Sequence, residues 1–333
     1  MNLPPDQVER IATLGYSEAE ARFLYIVATH SGYFTLRHFN NFVGVQRGKR
    51  CMAFARKLLK HGHATMRDYM SSGSVFHLFS RLVYGPIDKD NIRNRRRHSF
   101  EYIRTRLVQL DFLLENAELD FLESESNKVQ LFESLAVPRD VLPAKIYAGG
   151  PGSVPTIRYF VDKFPLFLAP PISGAAPVVT FTFVNSGNGG VRSFDAHLAA
   201  YQELFRHLQS FRLLYIAPRT TDFRRAQDRF RLNIQQPLSS DLSGELLRYF
   251  TIRRKWERHD YVVPVTADFE FLNEARRRFC GDLFEQLYRQ WIAGTVSERE
   301  LRLEFSQQAP KRTVFFDTYV VRHGHSPVDG KTR

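Results

Sequence analysis

The chain has 333 residues, enough for two domains of ordinary size, and its 43% hydrophobic and 14% aromatic content excludes a disordered tail and calls for packed cores. An excess of 47 Lys+Arg over 35 Asp+Glu gives a formal charge of +12 and suits a polyanionic partner, because neutralising phosphates releases counterions. The two cysteines, Cys51 and Cys280, lie far apart inside apolar helical patterns, which excludes a disulfide framework and a zinc site and reads as two small buried hydrophobes in a reducing compartment.

No N-terminal segment couples a charged start to an apolar run, and no window approaches the length of a membrane span, so an untargeted cytoplasmic protein with no membrane partner is expected. Phe outnumbers Tyr and Trp, 29 against 14 and 2, and a phenyl ring has no polar handle. Most of these rings are therefore assigned to cores and interfaces rather than to base stacking.

In chain order, Pro4 to Leu14 form a short amphipathic lead. Ser17 stands three residues before Glu20, a capping-box spacing, and Phe23, Leu24, Val27 and Ala28 share one helical face up to Gly32. A second helix is expected from Thr35, with Leu36, Phe39, Phe42 and Val43 apolar and Gly44 closing it. A third is expected from Arg47 to His61, with Met52, Ala55, Leu58 and Leu59 inward. Its other face carries Arg47, Lys49, Arg50, Arg56, Lys57 and Lys60 with no acid between them. A solvated charged face is the default for such a stripe; the single sign tips it towards phosphate and base contact.

Ala64 to Tyr69 and Val75 to Phe79 are strand-like, with Ser71, Ser72, Gly73 and Ser74 as the turn between them. Helix, turn, basic helix and hairpin in that order is the grammar of a winged helix-turn-helix, which lays one helix in the major groove of duplex DNA. Arg67 is placed on the hairpin, and Tyr69 or Met70 at its tip is placed for the minor-groove edge. The run Arg93, Arg95, Arg96, Arg97 and His98 reads as a backbone clamp or a protein-docking surface. The helix from Phe100 to about Ala117 is expected to dimerise or to brace the next domain. Leu131 to Leu135 reads as a further short helix.

Pro138, Pro143, Gly149 to Gly152 and Pro155 mark a domain boundary. Beyond it, Ile157 to Val161, Leu166 to Leu168, Val178 to Val184 and Phe211 to Ala217 read as strands, and Phe194 to Gln209 as a helix between the last two. That is a βαβ unit. A basic helix from Phe223, a helical pair over Leu246 to Trp291 and a last strand from Thr313 to Val321 complete the chain. The expected organisation is 1–85 as a DNA-binding domain, 86–137 as a basic and helical connector, and 138–333 as an α/β domain with a helical C-terminal extension. The fold class is α+β or α/β.

The order of Val178 to Val184, the loop SGNGG, Phe194 to Tyr201 and Phe211 to Ala217, behind an N-terminal helix-and-hairpin region, resembles the replication-relaxation proteins of plasmids and integrative elements. The resemblance covers roughly residues 17 to 80 and 155 to 220. It implies an N-terminal winged helix joined to a domain related to PD-(D/E)xK nucleases. A nuclease of that fold holds a divalent metal through hard oxygen ligands. Here Thr182 or Phe183 stands in place of the strand acid, Asn185 where a second acid often follows, and His197 in place of the usual lysine, leaving Asp162 as first acid. A catalytically inactive core without metal or other cofactor is therefore expected. The alternative is a metal-dependent nuclease with a rearranged site of Asp162, Asp195 and Glu203.

Other motifs weigh less. Val321 to Ser326 contains the Arg-His-Gly string of histidine phosphatases, but only seven residues follow it, and His323 and His325 read as polar residues at a strand end. The loop Gly187 to Gly190 lacks the following lysine and serine of a phosphate cradle. His61, His63 and His77 straddle a helix end and a hairpin, and surface or backbone-contact roles are preferred to metal ligation. The expected protein is thus a DNA-binding accessory or regulatory factor of a mobile element or defence locus. Its partners would be duplex DNA, a second copy of itself and a recombinase, replication or transcription protein. A basic helix meeting an acidic protein partner is the remaining reading.

Overall fold

The computed structural model describes residues 1–322 other than 2, 45–47, 70–72, 91, 149–153, 170–176, 188–189, 236–241, 261–265 and 309–312. The chain is a mixed helix-and-strand protein that divides into two compact units: Met1–Ile234 with Thr313–Arg333, and Gln235–Arg312. The division does not fall in the Pro/Gly-rich stretch around 138–155. It separates the helical insertion from everything else.

The first unit opens with α1 (Pro5–Ala12) and α2 (Glu18–His30). The Ser17–Glu20 capping box is present in both directions and fixes where α2 starts. A short strand β1 (Tyr33–Thr35) leads into α3 (Leu36–Val43), and α4 (Lys49–Lys60) follows. The hairpin of β2 (Ala64–Tyr69) and β3 (Gly73–Leu78) adds to β1 as an antiparallel sheet in the order β1-β3-β2. Four phenyl rings make the centre of this layer. Phe23 meets Phe34 and Phe39 edge-on, each at 5.3 Å between centroids, and Phe39 stacks on Phe54 at 4.2 Å.

Phe54 decides how α4 lies. Cys51, Phe54, Ala55 and Leu58 are buried, an i, i+3, i+4, i+7 stripe, whereas Met52 and Leu59 are 49% and 39% exposed. The expected inward face of Met52, Ala55, Leu58 and Leu59 is therefore rotated by about one residue, 100° on a helix, because the bulkier ring takes the core position.

After α5 (Arg81–Tyr84) and a 3-10 turn at Arg93–Arg95 comes α6 (Phe100–Glu115), the spine of this unit. Its Ile103 and Leu107 pack with Tyr33, Tyr69 and Val75 of the first sheet. Val108, Phe112 and Leu113 pack with Phe121 and with Phe167, Val184 and Ile216 of a second sheet. The expected bracing role of this helix is thus performed inside one compact unit.

The second sheet is built from β6 (Leu166–Ala169), β7 (Val178–Val184), β8 (Ser210–Ala217) and β9 (Thr313–Val320), in that order. β6 runs antiparallel to β7, and β7, β8 and β9 are mutually parallel. β7 and β8 are joined by α8 (Gly190–His207), which is the βαβ unit that the sequence announces. Every residue of β7 is buried, because α6 covers one face while Phe194, Tyr201 and Phe205 of α8 cover Phe181 and Phe183 on the other. Two smaller elements flank it: α7 (Glu125–Ser134), longer than the expected Leu131 to Leu135, and a hairpin of β4 (Ala144–Tyr147) with β5 (Thr156–Tyr159). α9 (Phe223–Phe230) places Phe230 5.1 Å from Phe316 of β9.

The second unit contains α10 (Leu242–Glu257), α11 (Thr266–Arg278), α12 (Asp282–Ile292) and α13 (Glu298–Gln308). Leu246, Phe250, Phe279, Leu287 and Leu301 form its own core. Arg253 clamps Glu285 with two hydrogen bonds of 2.6 and 3.0 Å and lies 4.0 Å from the Tyr288 ring. Cys280 is exposed here, so only Cys51 fits the expectation of a buried thiol.

Candidate nucleic-acid interface

The residues expected to touch DNA sort into three groups once folded. Lys49, Arg50, Arg56 and Lys60 are all exposed on the solvent face of α4. None of the four makes a side-chain ion pair or hydrogen bond within the described residues. The helix has no acid in its sequence, and Gly48 at its N-cap supplies no side-chain cap. Two cations in the first turn oppose the helix dipole, which favours negative charge at that end. Their placement costs α4 some stability and leaves its N-terminus suited to an anion. Arg47 lies outside the described residues.

Lys57 belongs to a second group, whose charge is spent on the fold. Its ammonium ion-pairs with Glu20 at 2.6 Å, donates to the Gly15 carbonyl at 3.0 Å and sits over the Tyr16 ring. Because α4 is turned by Phe54, the Lys57 ammonium turns to α2 with the side chain only 30% exposed, a correction to its expected place in the contact face. Arg95 is similar: its guanidinium donates to the carbonyls of Phe79 and Asp90 and lies over Tyr84. It closes the chain after the hairpin instead of reaching outward.

The third group comprises exposed Arg67 on β2 and exposed Arg97, which line one small groove together with Tyr33, Tyr69, His77 and His98. Arg93 and Arg96 are exposed too, but they line a different and larger cavity. Tyr69 is buried against the Phe100 ring and so does not serve as a hairpin-tip contact; Met70 lies outside the described residues.

The histidines are structural. His63 Nδ1 is 2.6 Å from the Tyr16 hydroxyl, and the His61 ring stacks on it at 5.5 Å. His77 stacks on Tyr33 at 4.4 Å and reaches the Asn94 carbonyl at 3.1 Å. Burial, with His98 and Arg97 nearby, pushes its pKa down to about 4 in spite of that carbonyl. Among the described residues no group of three or more His, Cys, Asp and Glu has the geometry to hold a metal ion. His323 and His325 lie outside the described residues, as does half of the glycine loop at 188–189.

In the turn before β6, Asp162 does gather partners. Tyr201 donates to it at 2.9 Å, His197 Nδ1 lies 3.2 Å away, and the Phe164 amide donates at 3.1 Å. Burial raises the carboxyl, but the hydrogen bond and charge of His197, the charge of Lys128 and the Phe164 amide outweigh it and hold the pKa below the ordinary value. The other positions that a nuclease would use are committed elsewhere. Phe183 is buried between Phe194, His197 and Tyr215. Thr182 donates to the Pro165 carbonyl at 2.7 Å, and Asn185 bridges Tyr215 and Asp222. Asp195 pairs with Arg229 at 3.7 Å and Glu203 with Arg206 at 2.7 Å. These two thus answer to arginines of their own, and with Asp162 they form no metal-holding group.

Sequence reading missed Lys128 and Lys163. Lys163 stands directly beside Asp162, and the adjacency of the two charges was the available signal. Comparisons of the chain with family models, curated proteins and solved structures give no match. No helix among the described residues is long and apolar enough to cross a membrane.

Proposed function

We propose that this protein binds duplex DNA through the exposed face of α4, with the β2–β3 hairpin beside it in the manner of a winged helix. The observation that carries this reading is the set of four cations, Lys49, Arg50, Arg56 and Lys60, which are exposed on an acid-free helix and make no side-chain ion pair or hydrogen bond within the described residues. Lys49 and Arg50, which neither pair internally nor suit the helix dipole at that end, are explained by an external anion, and Arg56 and Lys60 extend the same exposed basic face. Arg67 and Arg97 line a groove at the hairpin and extend the basic surface as backbone contacts.

The β6–β9 sheet acts in this reading as an inactive PD-(D/E)xK-like scaffold for a second copy or a replication, recombination or transcription partner, in a mobile-element or defence setting. Support comes from Asp162, whose carboxylate is occupied by Tyr201, His197 and the Phe164 amide, and from the uncharged residues Thr182, Phe183 and Asn185 where acids would stand. An oxygen-ligand metal site needs more negative charge than one carboxylate supplies. Titration of a labelled duplex with the full chain at several salt concentrations tests the reading: affinity should fall steeply as salt rises.

A further inference from the structure

A cavity of about 540 Å³ lies in the first unit, between the end of α2, the turn that follows α5, the start of α7 and the β4–β5 hairpin. Small-molecule sites commonly span roughly 300–1,000 Å³. Six cations line it: Lys89, Arg93, Arg96, Lys128, Arg158 and Lys163. Three acids line it as well, and each is already engaged. Glu123 binds Lys89 at 2.8 Å, Glu125 binds Arg158 at 2.8 Å and the Tyr159 amide at 2.7 Å, and Asp88 lies 3.9 Å from Arg10.

Four cations are left with no ion pair among the described residues. Lys128 is buried and donates only to the Phe164 carbonyl at 2.7 Å; Arg93 donates only to the Tyr147 hydroxyl at 3.3 Å. The side chains of Arg96 and Lys163 make no hydrogen bond within the described residues. Gathering such charges without a counterion is costly, since like charges in a partly desolvated recess repel. The strain shows in the lysines. Burial and the charges of Arg106, Arg93, Arg158 and Lys128 push Lys163 down to about 7, and burial with Arg106 pushes Lys128 down to about 8 although Asp162 and Glu125 oppose it. Tyr159, Phe160, Val161 and Phe164 add apolar surface to the lining.

We infer that this cavity binds a phosphorylated small molecule of nucleotide size, its phosphates held by Lys163, Arg93 and Arg96 and its ring laid against the half-buried Tyr159. The site is separate from the α4 face and does not depend on the DNA-binding reading. Phosphate oxygens supply the acceptors that guanidinium and ammonium groups lack here, and an aromatic side chain suits a flat ring. A bound anion also restores charge to Lys163, so binding takes up a proton.

Calorimetric titration of the full chain with ADP and with pyrophosphate, in two buffers of different ionisation enthalpy near pH 7.5, tests the assignment. Both ligands should bind, and ADP should do so with net proton uptake, because burial and neighbouring cations hold the Lys163 pKa well below the ordinary lysine value before binding. Lys163→Gln should lose most of the proton uptake, Lys128 supplying the remainder, and Arg96→Gln should weaken binding by about tenfold. Arg96 makes no internal side-chain bond, so its variant keeps the assignment testable if Lys163→Gln fails to fold. Lys60→Gln on α4 should leave ADP binding unchanged. No heat at roughly millimolar ligand, or binding that both cavity variants leave intact, would overturn the proposal. So would stoichiometric displacement of ADP by a short duplex, which would assign the cavity to nucleic acid.

Discussion

Lys57 Nζ lies 2.6 Å from Glu20 Oε2, and the same carboxylate oxygen accepts from the Ser17 amide at 2.9 Å. One contact therefore joins α4 to the capping box that starts α2. It also removes Lys57 from the cations available to a partner and leaves Lys49, Arg50, Arg56 and Lys60 as the outward set.

Replacing Lys57 by Met should lower stability by about 1–2 kcal/mol, because Glu20 is nearly buried and loses its counter-charge. Lys60→Ala should change stability by less than about 0.5 kcal/mol, as an exposed surface substitution does. Urea denaturation of the two variants gives the comparison. In duplex binding the order should reverse, with Lys60→Ala the more damaging of the pair per folded molecule.

Arg106 is 1% exposed and donates to Gln109, to the Lys163 carbonyl at 3.0 Å and to the Asp162 carbonyl at 2.7 Å. Arg106→Met would orphan the Asp162 carbonyl, leave the Lys163 carbonyl only the 3.4 Å bond from Gln109 Nε2, and should cost about 2–4 kcal/mol in denaturant midpoint measurements. Arg106→Lys should recover only part of that loss, since one ammonium cannot reproduce the planar fork.

Burial holds His30 at about 3 and His77 at about 4, against an ordinary 6.5. The folded-state values are depressed, so between pH 6.5 and 4 the unfolded chain binds protons that the folded chain refuses. Stability should therefore fall as the pH falls through that window, by about 1.4 kcal/mol per pH unit for each histidine. His77→Phe keeps the stack on Tyr33 and removes one titrating group. Its stability should be less steep in pH than the wild type over that window, and an unchanged slope would show that His77 is already protonated in the fold.

Incubation with supercoiled plasmid and Mg²⁺ or Mn²⁺ should leave the DNA uncut. Cleavage that disappears in Asp162→Ala would instead establish an active site around that carboxylate and end the scaffold reading.

The parts of this fold legible in the sequence are those in which one pattern has one solution. Val178 to Val184 is a seven-residue run of β-branched and aromatic residues, its two polar ones both threonine, that suits a strand covered on both faces, and β7 has those bounds. Ser17 and Glu20 mark the start of α2 by spacing alone. Where two stripes compete, sequence cannot choose. On α4 both Met52–Leu59 and Cys51–Phe54–Leu58 are apolar, and only the ring cluster of Phe23, Phe39 and Phe54 selects the second. β1 is three residues long, too short to show a period, and exists because Tyr33 to Thr35 pairs with Val75 to His77 forty residues away. The cavity was invisible for the same reason: Arg96, Lys128 and Lys163 converge only through tertiary contacts.

The most direct measurement is the salt dependence of duplex affinity for the wild type and for a variant with Lys49, Arg50, Arg56 and Lys60 all replaced by Gln. Each of these cations that meets a phosphate contributes about 0.9 to the slope of log affinity against log salt, so the slope should shrink by at least about 2 while the unfolding midpoint stays near that of the wild type. An unchanged slope in a folded quadruple variant would contradict the assignment of α4 as the DNA-contacting helix.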